Sequence, residues 1–124
     1  GIYAASASPA YPLDYMNKVR KAQAMNAPAY IEYFSPCVPG WGYKESLGIK
    51  VAKLATETCF WPLYEIENNK VTINYKPTQM RPVKEFLELQ DRYRHLTDYD
   101  ISVIQGLVSS DWKELLGGES CKKT

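Results

Sequence analysis

The sequence predicts an α/β fold with parallel strands, a β-hairpin and two C-terminal helices. Three observations predict it. Two strand-like runs, residues 2–7 and 29–34, flank a segment of helical spacing. Two alternating segments flank Glu67-Asn68-Asn69-Lys70. Two helical stripes follow the linker Lys76-Pro77-Thr78-Gln79. The chain has 124 residues, enough for one domain or a large piece of one. By surface scaling it can bury about two-thirds of its unfolded surface, so a real core is possible.

The first run, Ile2-Tyr3-Ala4-Ala5-Ser6-Ala7, is small and apolar and reads as a buried strand. Ser8-Pro9 turns the chain. Pro12 suits the first position of a helix, where its missing N–H costs nothing. Leu13, Met16, Val19, Ala22 and Met25 recur at helical spacing and predict the buried stripe of that helix. Asp14 early and Lys21 late suit its dipole. Pro28 stops it near Asn26. Ala29-Tyr30-Ile31-Glu32-Tyr33-Phe34 is the second strand, and strand, helix, strand at this length predicts a parallel crossover.

Ser35-Pro36-Cys37-Val38-Pro39-Gly40-Trp41-Gly42 follows as a loop stiffened by Pro and Gly. A second helix is predicted over residues 44–58, with Leu47, Val51, Leu54 and Ala55 on one face. Residues 63–66 and 71–75 alternate around the Asn-Asn turn as a hairpin. A third helix is predicted over residues 82–95, with Val83, Phe86, Leu87, Gln90 and Tyr93 as its stripe. Thr97 and Asp100 form a variant capping box for a fourth. Gly117-Gly118 is expected to end that helix, leaving residues 119–124 as a tail.

Composition excludes several function classes. Lys+Arg number 15 and Asp+Glu 14, so no basic excess exists to bind nucleic acid by counterion release. Hydrophobic residues at 45% exclude a disordered chain. No stretch approaches the roughly 18 uninterrupted apolar residues of a spanning helix. The start, Gly1-Ile2-Tyr3, has neither a signal peptide's basic region nor an initiator Met, and reads as the interior of a longer chain. Three scattered Cys make a poor disulfide framework, which points to a reducing, cytoplasmic compartment.

Candidate chemistry narrows to one residue. The single His95 falls late in a predicted helix, where a histidine more often faces solvent than substrate. Glu85, Glu88 and Asp91 read as a solvated face with local ion pairs. Gly40-Trp41-Gly42 lacks the third Gly of a dinucleotide fingerprint. Tyr30, Tyr33 and Phe34 lack interleaved basic residues, so core packing accounts for them better than base stacking. Cys59 reads as packing and Cys121 as an idle tail residue. Cys37, His95, Cys59 and Cys121 are nominally a zinc set, yet none have the spacing of local ligand pairs. Cys37 ends a strand in the Pro-bounded loop, where ligands gather in an open α/β sheet. On its residues alone it is either packing, the commoner fate of a lone cysteine, or a ligand for a soft metal centre. In the second case Val38, Gly40 and Trp41 would be nearby N–H donors, and Trp41 and Phe34 would exclude water.

Five blocks, taken in order, carry a resemblance. They are Ser6-Ala7-Ser8-Pro9-Ala10-Tyr11-Pro12, Met16-Asn17-Lys18-Val19, Ser35-Pro36-Cys37-Val38-Pro39-Gly40-Trp41, Trp61-Pro62-Leu63-Tyr64-Glu65-Ile66 and Arg92-Tyr93-Arg94-His95-Leu96-Thr97. Together they resemble the C-terminal portion of the beta subunit of 2-oxoacid:ferredoxin oxidoreductases, most closely the pyruvate:ferredoxin (pyruvate synthase) branch. The resemblance runs from about Ile2 to Leu115.

The resemblance implies a thiamine diphosphate enzyme of several subunits. It would decarboxylate pyruvate or a related 2-oxoacid with coenzyme A, passing electrons through iron–sulfur clusters to ferredoxin. It implies that Cys37 is one ligand of a 4Fe-4S cluster whose other ligands lie outside this chain. The family's Gly-Asp-Gly…Asn motif for thiamine diphosphate and Mg2+ is absent here, so those groups would be bound mainly by other residues. Residues 1–62 would then be the C-terminal part of the thiamine-diphosphate-binding domain with the cluster-ligand loop. Residues 63–124 would be a hairpin plus helical extension. This chain alone is expected to be inactive. A non-catalytic assembly module of such a complex and a small zinc-binding domain are the alternatives.

Overall fold

In the computed structural model, which describes residues 1–120, the expected α/β architecture is present as a mixed four-stranded sheet with helices. β1 (Tyr3–Ala7), α1 (Pro12–Ala24) and β2 (Ala29–Tyr33) form the strand–helix–strand unit. β1 and β2 pair in parallel, Tyr3 opposite Ala29 and Ala7 opposite Tyr33. β3 (Tyr64–Glu67) and β4 (Lys70–Ile73) form the hairpin, with Glu67 opposite Lys70. Asn68 and Asn69 have φ of 51° and 61°. Two left-handed residues make the tight turn whose twist matches the flanking strands, and asparagine tolerates that conformation. β3 lies antiparallel to β1, giving the order β2-β1-β3-β4.

β1 therefore has neighbours on both sides within this chain, and the sheet's edges are β2 and β4. The β4 edge is covered. The Ile73 N–H donates to Glu119 Oε1 at 3.1 Å, and the last helix packs over that strand. The β2 edge is not. Ala29, Tyr30, Glu32 and Tyr33 are exposed, and Glu32 is the strand's only charge. Natural edges are blunted by Lys, Pro, bulges or covers, and among the described residues β2 has none of these. The chain expressed alone is expected to associate through this edge. Sedimentation would show oligomers that Tyr30→Lys reduces; a monomer indifferent to that change would contradict the expectation.

α1 has its expected bounds but a different inner face. Leu13 is 75% exposed and Met16 is exposed too, whereas Lys18 is 1% exposed. Lys18 Nζ donates to the Ser6 carbonyl at 2.8 Å and pairs with Asp14 Oδ2 at 2.6 Å. Its four-carbon stem covers the sheet while both partners satisfy its charge. Burial pushes the Lys18 ammonium below its ordinary value, and Asp14 partly opposes that. Beside it Glu65 accepts from the Tyr3 hydroxyl at 2.9 Å and pairs with Lys21. Of the apolar stripe read from the sequence, Leu13 and Met16 are exposed while Val19, Ala22 and Met25 are half-buried.

The helical core forms at the C-terminal end of β1. α3 (Gly48–Glu57), entered through a 3₁₀ turn at Glu45–Leu47, contributes Val51, Ala52, Leu54 and Ala55. They pack with Phe34, Val83, Phe86, Leu87 and Val108. The third helix is shorter than predicted: α4 spans Val83–Leu87, and a 3₁₀ turn follows at Asp91–Tyr93. The reason is Gln90. Its side-chain Nε2 donates to the Phe86 carbonyl at 2.7 Å, taking the acceptor that its own backbone N–H would use in a continuing helix. The Asp91 N–H goes instead to the Gly42 carbonyl at 2.8 Å.

α5 (Asp98–Ser120) starts as expected and runs further. Gly117-Gly118 does not end it, because Glu119 is tied to Ile73 and pairs with Lys76. At its start the Thr97 N–H donates to Asp100 Oδ2 at 2.8 Å, and the Asp100 N–H donates to Thr97 Oγ1 at 3.2 Å. Thr97→Ala should cost about 1 kcal/mol, read as an earlier denaturation midpoint, with no effect on chemistry at Cys37. Unchanged stability would contradict the cap. Among the described residues, no helix is long and apolar enough to cross a membrane.

Candidate functional site

β2 delivers the chain to the Cys37 turn. Phe34 is the first residue beyond the strand and is buried, its N–H donating to the Ala7 carbonyl at 2.9 Å. Its ring meets Trp41 edge-on at 5.5 Å and packs on Trp61 at 5.3 Å. Ser35 and Pro36 then carry the backbone outward. Cys37, with extended φ −111°, caps a single helical turn, α2 (Val38–Trp41), that has Pro39 in its first positions. The Trp41 N–H donates to the Cys37 carbonyl at 2.9 Å, and the Gly42 N–H to Val38 at 3.0 Å. Of the three N–H donors expected near the sulfur, that of Trp41 is thus spent on backbone.

Two glycines shape this turn. A Cβ at Gly40 would lie 3.1 Å from Cys37 Sγ, so glycine keeps that side of the thiol open. Gly42 has φ 68°, a left-handed conformation glycine adopts freely. A Cβ there would also meet Asp91 Cβ at 2.7 Å. The turn and the 3₁₀ segment after α4 therefore approach each other backbone to backbone. Arg92 completes the contact, its Cζ 3.9 Å above the Trp41 ring.

The Cys37 thiol is exposed. Phe34 and Trp41 do not cover it, because Phe34 is drawn into the core with Phe86 and Trp41 lies beneath Arg92. Desolvation, and then the charge of a Cys37 thiolate, raise the Tyr43 hydroxyl above its ordinary value. A soft, accessible thiol on a short stiff turn has the donor chemistry of one ligand to an iron–sulfur cluster.

The other candidates stand apart. Cys59 is buried two residues beyond α3 in a left-handed conformation, and burial pushes its thiol up to about 11. It stays protonated near neutral pH, as a packing residue should. His95 is exposed between the 3₁₀ turn and α5, outside any helix. Cys121 lies outside the described residues. Among the described residues, no group of three or more His, Cys, Asp or Glu is placed to hold a metal ion. Glu85 pairs with Arg81, and Glu88 with Lys84 at 3.5 Å, the local ion pairs read from the sequence. The packing account of the aromatic run holds for Phe34 only. Tyr30 and Tyr33 are exposed on the sheet edge, Tyr33 resting on Tyr15 at 4.9 Å.

Sequence reasoning missed the Gln90–Arg92–Trp41 contact. Its one signal was the block beginning at Arg92, which carries no periodicity of its own. It also missed an open cleft of about 290 Å³ between the sheet and α5, lined by Trp61, Tyr64 and Trp112 among others. The cleft's Ser6 hydroxyl is engaged, donating to the Pro62 carbonyl at 2.6 Å and accepting from Tyr64 N–H at 3.1 Å.

No family model matches the sequence. Curated relatives do. The chain is similar to pyruvate synthase subunit PorB of Methanocaldococcus jannaschii, 48% identical over 115 residues, covering 93% of this chain and 38% of that protein. It is similar to ketoisovalerate oxidoreductase subunit VorB of Pyrococcus abyssi, 42% identical over 115 residues, covering 91% of this chain and 37% of the relative. The PorB of Thermotoga maritima is 38% identical over 127 residues, 98% of this chain and 39% of its own length. The chain is thus homologous to these subunits over nearly all of its own length, and spans less than two-fifths of theirs.

Proposed function

We propose that this chain, a homologue of pyruvate synthase and ketoisovalerate oxidoreductase subunits, forms part of the beta subunit of a 2-oxoacid:ferredoxin oxidoreductase. The complex would convert a 2-oxoacid and coenzyme A to acyl-CoA and CO2, with two electrons leaving singly to two oxidised ferredoxins. The observation that carries this reading is the exposed Cys37 thiol, held beyond the end of β2 in a turn of a chain homologous to such subunits.

Cys37 would be one protein ligand of a 4Fe-4S cluster, and residues outside this chain would supply the rest. A bound cluster supplies one-electron transfer. This chain's part is to hold one thiolate in position, with the Pro36 and Pro39 turn limiting its motion and Gly40 leaving room beside Sγ. Thiamine diphosphate and Mg2+ would be held mainly by other segments. Pyruvate leads as substrate and 2-oxoisovalerate follows, matching the two names among the relatives. A second reading, a non-catalytic assembly module, is favoured by the uncovered β2 edge and the exposed Leu13 and Met16.

The test is the composition of the native complex purified without oxygen. Iron, acid-labile sulfide and thiamine diphosphate are expected to co-purify with this chain, and 2-oxoacid with coenzyme A should reduce ferredoxin. A pure complex lacking iron and thiamine diphosphate would leave the assembly reading in its place.

A further inference from the structure

We infer that Arg92 is a positioning residue for Cys37, acting through Trp41 and holding a fixed positive charge against the segment that closes the cysteine turn. This rests on the reading of Cys37 as a cluster ligand. The guanidinium is fixed on two sides. Its Cζ stands 3.9 Å from the centre of the Trp41 ring and 4.4 Å from that of Tyr93. Its Nε donates to Gln90 Oε1 at 2.9 Å. Gln90 is itself buried, and its Nε2 is anchored on the Phe86 carbonyl at 2.7 Å. A strut therefore runs from the core through Gln90 and Arg92 to Trp41. Trp41 in turn closes the turn by donating its N–H to the Cys37 carbonyl.

The choice of residue is informative. Arg81 meets two carboxylates, those of Glu57 and Glu85. Among the described residues Arg92 meets none; its partners are two π faces and a neutral amide. A clamp that only joined two segments could use any flat neutral group with an N–H for Gln90. An arginine on an indole face keeps its full charge. Reduction of a cluster adds negative charge, so a fixed positive charge nearby favours the reduced state and raises the potential. The Asp91 N–H bond to the Gly42 carbonyl holds the segment that bears Arg92 against the turn, and it brings the Asp91 carboxylate there as a constant opposite charge in every Arg92 variant.

The experiment uses the assembled complex carrying Arg92→Gln, Arg92→Lys or Cys37→Ala, titrated by EPR at controlled potential, with iron content measured in parallel. Arg92→Gln stays planar but loses the charge. It should keep its iron and shift the cluster's midpoint to lower potential. Arg92→Lys restores the charge without the flat stack. It should return the midpoint toward wild type, with an EPR signal broadened by looser placement of the turn. An unshifted midpoint in Arg92→Gln, with cluster loss in Cys37→Ala, would overturn the role of Arg92 alone. Full cluster content in Cys37→Ala would overturn both readings. If Arg92→Gln fails to assemble while Arg92→Lys assembles with a midpoint shifted as far as the loss of charge would require, the charge argument also falls.

Discussion

Cys37→Ala in the assembled complex is expected to remove or convert one 4Fe-4S cluster and abolish ferredoxin reduction. Methyl cannot replace a thiolate ligand, and among the described residues no group of three or more His, Cys, Asp or Glu is placed to hold a metal ion in its stead. Thiamine diphosphate should remain bound, because in the proposed subunit its anchoring residues would lie outside this chain. The fold should also persist, since the exposed thiol makes little packing contact. Cys59→Ala and Cys121→Ala should leave the cluster's EPR signal intact. Iron analysis and EPR of the three variants check this together. Equal iron in all three would remove Cys37 from the cluster.

Phe86→Ala is expected to be the most damaging single change to the fold, at about 3–5 kcal/mol, the usual range for a fully buried aromatic. Phe86 is 0% exposed, and its ring stands 4.7 Å from Phe60 and 6.4 Å from Phe34. Its carbonyl also anchors Gln90, and so the strut to the cysteine turn. Truncation would leave a cavity at the junction of α3, α4 and α5. Proteolysis of the assembled subunit across a urea series would show cleavage at distinctly lower urea. Thr97→Ala, on the surface, should shift the same curve far less. Equal curves for the two variants would contradict the core assignment.

The parts legible in the sequence are those set by local chemistry. Pro12 and Pro28 bracket α1, Asn68-Asn69 fixes the hairpin, and Thr97 with Asp100 starts α5. The parts that were not legible depend on partners distant in sequence. The inner face of α1 was misread because Lys18 finds the Ser6 carbonyl twelve residues back, which hydrophobic periodicity does not register. The end of α4 was misread because Gln90 reads as one more residue on a helical stripe. Only the fold brings Gly42 close enough to take the next N–H. Gly117-Gly118 failed to stop α5 because Glu119 is held from across the sheet edge. At the site, the stiff turn beyond β2 was legible from Pro, Gly and strand-end position, whereas the residues alone left Cys37 either packing or a ligand. Arg92 was not, since its contact with Trp41 spans fifty-one residues of sequence.

The central claim is that Cys37 holds iron in the assembled complex. The most direct measurement is an anomalous difference map of crystals of that complex, collected at the iron edge. The account predicts a cluster-sized peak at Cys37 Sγ, with its remaining protein ligands from residues outside this chain. A Cys37 Sγ packed among side chains with no iron peak beside it, in a complex whose other clusters are visible, would contradict the account.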